Sequence, residues 1–159
     1  DNVRVLRENL SHNKVKGVTI VQGVVSSLNG WSKVYLYKNR RQTGLVRHNY
    51  KVGEISVNSF RLKSLIDKWI DRDAGQVLIL KCDVEGAEYE IFVDTPVRYI
   101  GRFEKIMFEY HLDEYFDQKK LDYILARLRR AGLRAQTIEN AFLPRLGYVF
   151  AEKINRLDR

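Results

Sequence analysis

The chain has 159 residues, of which 45% are hydrophobic and 30% charged, and this composition is typical of one globular domain with a hydrophobic core. No apolar run approaches the ~18 residues that a membrane-spanning helix needs, and the single cysteine, Cys82, excludes an internal disulfide and a cysteine metal cluster. The formal net charge of +8 permits acidic partners such as phosphates, nucleic acid or anionic lipid, without selecting among them. We expect Cys82 to be a small buried side chain in a protein of a reducing compartment, the cytoplasm.

The first part of the chain predicts a helix and then a β-hairpin. Three apolar residues are spaced for one face of an amphipathic helix, namely Val3, Leu6 and Leu10. Gly17 would close this helix, and a strand is expected over residues 18–25. Asn29-Gly30 is the strongest short signal for a hairpin turn, so residues 34–37 would be the returning strand.

A basic loop and a second helix follow. Residues 38–51 contain no acid and five cations, which are Lys38, Arg40, Arg41, Arg47 and Lys51. After a short extended stretch over residues 54–57, Ser59 is expected to cap the amino terminus of a helix. The apolar face of that helix would hold Leu62, Leu65, Ile66 and Trp69.

The middle of the chain predicts a strand that carries charged groups at its carboxyl end. Four apolar residues over 77–80 are followed by Lys81, and such a run is typical of a strand buried on both faces in the middle of a parallel sheet. Gly86 would break the strand, and residues 87–93 have the composition of a helix. Glu88, in the first turn, suits the positive end of that helix.

The last part of the chain alternates strands with helices. We expect a connector with one helical turn over residues 97–104, a strand over 105–111, and a helix over 117–131. The buried stripe of the long helix would be Leu121, Ile124, Leu125 and Leu128. Residues 134–139 and 148–153 would form an antiparallel pair. Strands that alternate with helices predict a single α/β domain with a largely parallel sheet.

Five side chains would meet at the ends of two neighbouring strands. Lys81, Asp83 and Glu85 follow one strand, while Glu109 and His111 share a face at the end of the next. If the strands are parallel neighbours about 5 Å apart, all five groups converge on one crevice. Carboxylates beside a histidine can act as general base and proton acceptor, or they can hold a divalent cation. The sequence has no G-x-G loop and no H-E-x-x-H, C-x-x-C or G-x-S-x-G motif.

The octapeptide from Lys81 to Glu88 has the pattern K-x-D-x-E-G-x-E. It resembles the signature of FkbM-type methyltransferases, which use S-adenosylmethionine. Weaker likenesses follow in the family's order along nearly the whole chain. Residues 3–10 resemble the family's helix, and residues 19–30 resemble the strand and small-residue turn that follow it. Residues 55–57 together with 62–66 resemble the stretch before the signature, and residues 108–111 resemble the family's E-x-H strand end.

The resemblance implies a class I methyltransferase fold, which is a Rossmann-like sheet that is mostly parallel and ends in an antiparallel C-terminal hairpin. It also implies transfer of a methyl group from S-adenosylmethionine to an oxygen of a small acceptor, such as a sugar or polyketide hydroxyl. Asp83 would lie beside both the methyl donor and the acceptor. The remaining catalytic and acceptor-binding residues would be Lys81, Glu85, Glu88, Glu109 and His111. The general base would be His111 or Asp83, and the adenine of the cofactor would lie near Gln22, Gly23 and Val24.

The chain departs from the family at its amino terminus. It lacks the glycine-rich loop after the family's first strand and the acid after the second strand, which holds the ribose in such folds. We therefore expect residues 1–159 to be the carboxyl-terminal portion of one methyltransferase domain, without its first two strands. Ser27 stands where the family often has an acid. The isolated chain is accordingly expected to bind S-adenosylmethionine poorly.

Two other functions remain as alternatives. A non-catalytic binding module on a degenerate Rossmann-like fold would hold an acidic partner through residues 38–51. If that partner were nucleic acid, affinity would fall steeply with salt, but a solvated surface loop is the better interpretation because the cations show no motif. A metal-dependent acceptor site would lose activity with a chelator.

Overall fold

Five helices and seven strands, arranged in two sheets, make up the part of the chain that the computed structural model describes, residues 2–37, 45, 51–70, 75–84, 86–113 and 116–154. The helices are α1 (Asn2–His12), α2 (Leu62–Trp69), α3 (Glu88–Asp94), α4 (Val97–Ile100) and α5 (Gln118–Arg130). The strands are β1 (Val24–Ser26), β2 (Gly30–Tyr37), β3 (Lys51–Arg61), β4 (Ile79–Cys82), β5 (Lys105–His111), β6 (Leu133–Glu139) and β7 (Leu146–Lys153). Glu85 and most of the basic loop over residues 38–51 lie outside the described residues.

The first helix is confirmed, but it is shorter than predicted. α1 ends at His12 and not at Gly17, because Asn13 and Lys14 turn the chain. The side-chain amide of Asn13 donates to Asn9 O at 2.8 Å, and Lys14 takes a positive φ of 53°. None of the residues of α1 is buried.

The first sheet has the strand order β1-β3-β2, and it overturns the predicted hairpin. β1 runs parallel to β3 and β2 runs antiparallel to β3, so β1 and β2 are not neighbours. The strand predicted over residues 18–25 begins only at Val24. Instead of shaping a hairpin turn, Asn29 ties the start of β2 to the end of β3, because its Oδ1 accepts the N–H of Arg61 at 2.9 Å. The predicted extended stretch over residues 54–57 is part of the 11-residue β3.

Two predictions about the second helix are wrong, namely the role of Ser59 and the burial of Trp69. Ser59 lies within β3, where its hydroxyl is 2.6 Å from the hydroxyl of Ser26 and donates to Leu28 O at 3.0 Å. The predicted cap is therefore wrong, and α2 follows Arg61 without a side-chain cap. Trp69 is 52% exposed and does not belong to the buried face. The buried residues of α2 are Leu62 and Ile66.

The second sheet has the strand order β4-β5-β7-β6 and is mixed rather than largely parallel. β4 and β5 are parallel, whereas β7 is antiparallel to both β5 and β6. The predicted antiparallel pairing of the last two strands is confirmed. Because β7 fills the place between β5 and β6, it contributes its side chains to the same edge of the sheet where β5 ends.

Helices α2 to α5 share one hydrophobic core with the inner face of the second sheet. The predicted stripe of α5 is confirmed, since Leu121, Ile124 and Leu128 are buried. The ring of Phe92 in α3 packs against that of Phe108 in β5 with centroids 5.0 Å apart. The core thus fixes β4 and β5 from one side.

The other face of the second sheet is open to solvent. Side chains alternate along a strand, so the residues that do not point to the core point to this face. Ile79 is 66% exposed and Ile138 is 51% exposed. The prediction that the β4 segment is buried on both faces is therefore wrong. Only one face of β4, with Leu80 and Cys82, contacts the core, and β4 lies at the edge of the sheet. We call this surface the open face.

Candidate active site

Two parallel strands bring the predicted charged residues to one edge of the second sheet. β4 and β5 pair in a register that places Lys81 beside Met107. Asp83 directly follows β4, while Glu109 and His111 lie on the same face near the end of β5. The predicted pairing of the two strands is confirmed, and it gathers these four charged or titratable groups at the carboxyl edge of the open face.

The four groups form two pairs at the surface. Lys81 Nζ donates to Asp83 Oδ2 at 2.7 Å, and Glu109 Oε1 lies 3.2 Å from His111 Nε2. The hydrogen bond to Asp83 raises the pKa of Lys81, so this side chain is an ammonium at neutral pH. The exposed fractions of the four side chains lie between 27% and 62%, and ion pairs as exposed as these contribute little to stability. Their arrangement is therefore available for binding another molecule.

Tyr148 is a fifth member of this cluster that sequence reasoning missed. It lies directly across from Glu109 in the antiparallel pair of β5 and β7. Its hydroxyl donates a hydrogen bond to the Glu109 side chain, and the negative charge of Glu109 raises the pKa of Tyr148. Glu109 is thus held between a phenol and an imidazole. The sequence does predict a strand that begins at Tyr148. Tyr148 could be assigned to the site only with the knowledge that this strand pairs with β5.

A hollow of about 190 Å³ lies beside this cluster, and His111 is not among the residues that line it. It is lined by Lys81, Cys82, Asp83, Met107, Phe108, Glu109, Tyr148 and Phe150. Ligand pockets usually measure about 300–1,000 Å³, so this hollow suits one end of a ligand. A larger hollow of about 780 Å³ adjoins it over the open face, and the two share Lys81, Met107 and Phe150.

Cys82 faces the core and not the hollow's polar groups. It is 6% exposed, and burial raises the pKa of its thiol to about 12. A thiol with such a pKa is not a nucleophile at neutral pH. The expectation that Cys82 is a small buried side chain is confirmed.

Glu88 supports the turn that carries Asp83. It is 4% exposed, and its two carboxylate oxygens accept the N–H of Val84 at 3.2 Å and the N–H of Gly86 at 3.0 Å. Burial raises the pKa of Glu88. The structure therefore places this carboxylate beneath the turn, bonded to the backbone.

The residues predicted near the adenine lie at the start of the other sheet. Val24 begins β1 and Gln22 and Gly23 precede it, whereas Asp83 follows β4, and β1 and β4 are not paired. Gly23 packs closely on β3, because a Cβ at this position would lie 2.5 Å from Asn58 O and 2.6 Å from the ring of Phe60. The described structure thus does not bring Gln22, Gly23 and Val24 together with Asp83 through sheet pairing.

Within the described residues, no group of three or more His, Cys, Asp and Glu side chains is arranged to hold a metal ion. The helices of the same part of the chain include no candidate for a membrane span.

The model of one protein family, the methyltransferase FkbM domain, matches residues 2–135. The chain belongs to the FkbM methyltransferase family. Membership identifies the protein as a methyltransferase, and the mixed α/β structure is consistent with a methyltransferase-like fold. A search of curated proteins and a search of solved structures found no match.

The family match includes most of the site of this FkbM methyltransferase, but not all of it. Lys81, Asp83, Glu109 and His111 fall within residues 2–135, whereas Tyr148 does not. The strand β7 therefore supplies a part of the site that the match does not cover.

Proposed function

We propose that the chain transfers a methyl group from S-adenosylmethionine to a hydroxyl oxygen of a small acceptor, at the carboxyl edge of β4 and β5. The observation that supports this most strongly is the meeting of Lys81, Asp83 and Glu109 around one hollow in an FkbM chain, with His111 paired to Glu109 beside it. Carboxyl ends of parallel strands are where open α/β sheets bind ligands.

The charges at this edge fit the reactive end of the cofactor. When bound, S-adenosylmethionine supplies a methyl group on a positively charged sulfonium. The cluster contains two carboxylates, Asp83 and Glu109, and one ammonium, Lys81. The excess of negative charge suits a cation. Asp83 would hold the methyl end, with Gln22, Gly23 and Val24 as the proposed adenine contacts.

His111 is the group best placed to take the acceptor's proton. A hydroxyl becomes a good nucleophile only as its proton leaves, and a histidine within hydrogen-bond reach can accept that proton. Glu109 lies 3.2 Å from the His111 ring and would stabilise the imidazolium that forms. Asp83, the other candidate base, is already engaged by Lys81 at 2.7 Å. Proton transfer to His111 would therefore leave the Lys81–Asp83 pair intact.

The other polar groups would position the acceptor. Lys81 is an ammonium and would hold an acceptor oxygen by its remaining N–H groups. Tyr148 fixes the orientation of Glu109, and through it that of His111. Holding two reactants in the reactive geometry removes much of the entropic barrier to their reaction. We propose that the reaction takes place in the cytoplasm, on the basis of the lone buried Cys82.

A transfer assay tests this function. The protein is incubated with millimolar S-adenosylmethionine that carries a radiolabelled methyl group and with a panel of monosaccharides and small polyketide alcohols. We expect label in an acceptor, and a rate that falls about 100-fold or more in His111→Asn. Lys105→Met is the matched control, because Lys105 lies exposed on the same face at the opposite end of β5. An unchanged rate in His111→Asn, or no transfer to any acceptor, would contradict the proposal.

Calorimetry tests the expectation about the cofactor. Since the proposed adenine contacts lie at or before the start of β1, in a different sheet from the β4 strand that precedes Asp83, we expect this chain to bind S-adenosylmethionine more weakly than micromolar. A micromolar dissociation constant would show that the described residues form a complete cofactor site.

A further inference from the structure

Three large apolar side chains near the candidate site are exposed to solvent. Phe142 is 91% exposed, Leu143 is 56% exposed and Ile138 is 51% exposed. Single exposed apolar residues are common on protein surfaces. These three belong to one end of β6 and the turn that follows it, and we call them the apolar rim.

The turn that carries Phe142 and Leu143 has a defined conformation. Asn140 Oδ1 accepts the N–H of Phe142 at 2.9 Å and the N–H of Leu143 at 3.0 Å. The N–H of Leu146 then donates to Leu143 O at 3.2 Å. Arg145 takes a positive φ of 73°, as the third residue of a type II turn requires. These bonds therefore hold the backbone of Phe142 and Leu143 in a defined turn.

This turn is attached to the strand that carries the proposed base. The N–H of Leu112 donates to Arg145 O at 2.6 Å, and Leu146 pairs with His111. The first and last Cα atoms of a β-turn lie within about 7 Å of each other, and paired Cα atoms of antiparallel strands lie about 5 Å apart. The Cα of Leu143 therefore lies within about 12 Å of the Cα of His111.

The third member of the rim lies in one row with the polar groups of the site. Ile138 pairs with Tyr148 across β6 and β7, and Tyr148 pairs with Glu109 across β7 and β5. Paired residues share a face of the sheet, and adjacent strands are about 4.8 Å apart. Ile138 is thus about 10 Å from Glu109 on the open face, with the ring of Tyr148 between them.

We propose that the apolar rim binds a hydrocarbon portion of the acceptor while the hydroxyl to be methylated lies at His111 and Glu109. The acceptor would then be amphipathic, with a polar hydroxylated end and an apolar portion about 10 Å away. This inference rests on the proposed function and adds the acceptor class to it. The rim lies beyond residue 135, where the family match ends, so the match does not cover it.

Alkyl glucosides of increasing chain length test this acceptor class. Methyl, butyl and hexyl β-glucoside share one hydroxylated end and differ in the apolar end. Binding to the full chain is followed by the shifts of backbone amide signals in nuclear magnetic resonance spectra. We expect the dissociation constant to fall with chain length, by up to about fourfold for each methylene group that the rim covers. The signals of Phe142 and Leu143 should move with the longer chains.

A double variant, Phe142→Ser with Leu143→Ser, removes most of the rim. We expect it to bind methyl glucoside as the wild type does, but to lose the gain with chain length. Trp31→Ser is the matched control, because Trp31 is 73% exposed and lies in the first sheet. It should keep the full dependence on chain length. Both variants change exposed residues, so their melting temperatures should stay close to that of the wild type.

Three results would overturn the proposal. One is a wild-type affinity that does not depend on chain length, and another is a dependence that persists in the double variant. The third result combines two observations on the wild type. It sediments with vesicles of three parts phosphatidylcholine to one part phosphatidylglycerol, whereas the double variant does not, and it does not respond to the glucosides. The rim would then be a membrane contact. Loss of methyl transfer activity to every acceptor would refute the proposed function alone, because the binding measurements need no cofactor.

Discussion

Replacing Glu88 by alanine tests how the turn after β4 is held in place. The side chain is 4% exposed, and its carboxylate accepts the N–H groups of Val84 and Gly86 at 3.2 and 3.0 Å. Alanine removes both acceptors and leaves two partly buried N–H groups without their partner. The turn positions Asp83, so its loosening should also reduce methyl transfer.

The size of the effect follows from these two bonds. A hydrogen bond to a charged group contributes about 1.5–3 kcal/mol to stability. The desolvation that raises the pKa of Glu88 offsets part of that contribution, so we expect Glu88→Ala to lower the free energy of unfolding by about 2–3 kcal/mol. For a domain of this size, each kcal/mol lowers the melting temperature by about 2–4 °C, so the expected fall is roughly 4–12 °C.

Glu88→Gln separates the charge from the hydrogen bonds. Because burial raises the pKa of Glu88 above 4.5, the folded state binds a proton more readily than the unfolded state. The contribution of this group to stability is therefore greatest below its ordinary pKa, and it declines as the pH rises through the raised value in the folded state. Glutamine does not titrate, so the stability of Glu88→Gln relative to the wild type should increase as the pH rises through that interval.

Thermal unfolding followed by far-ultraviolet circular dichroism measures both effects. Glu90→Ala is the matched control, because Glu90 lies exposed in the first turn of the same helix. It should change the free energy of unfolding by about 0.5 kcal/mol or less. A melting temperature for Glu88→Ala within about 2 °C of the wild type would refute the role of the carboxylate in holding the turn. If the difference in the free energy of unfolding between Glu88→Gln and the wild type does not vary with pH, the raised pKa of Glu88 is refuted.

Three further predictions concern other residues. Burial raises the pKa of Cys82 to about 12, so a thiol reagent at pH 8 should modify the native protein roughly 100-fold or more slowly than the unfolded chain; equal rates would contradict the burial. Leu128 is 0% exposed, so Leu128→Ala should lower the free energy of unfolding in urea by about 2–4 kcal/mol, and a loss below about 1 kcal/mol would mean a poorly packed core. Lys33 and Lys51 lower the pKa of Glu54 to about 2. In a titration followed by nuclear magnetic resonance, the midpoint of the Glu54 carboxyl group should lie at about pH 2 in the wild type and at a higher pH in Lys33→Met.

The second half of the chain could be predicted because its signals are local. The stripe of α5 repeats along one helix, and Asp117 caps that helix by accepting the N–H of Lys120 at 2.9 Å. The alternation of β5 likewise depends only on neighbouring residues. Since β4 and β5 are parallel, the cluster around Asp83 could be predicted from two strand ends.

The first sheet could not be predicted because its pairings are distant in sequence. Asn29 and Ser59 have the side chains of a turn and a helix cap, but each makes its hydrogen bonds across strands that lie about thirty residues apart. Local propensity cannot distinguish these uses. Tyr148 was missed for a similar reason, because its contact with Glu109 depends on which strand β7 joins.

The position of β7 also determines when the site can form during folding. β7 inserts between β5 and β6. β5 therefore gains its second neighbouring strand only after α5, β6 and β7 have all been synthesised. Contacts between distant segments are slow to form, because the chain must close a long loop before it gains their stabilisation. Tyr148 reaches Glu109, and Leu146 reaches His111, only in this last step. A nascent chain that has already folded around α5 therefore still lacks one wall of its site.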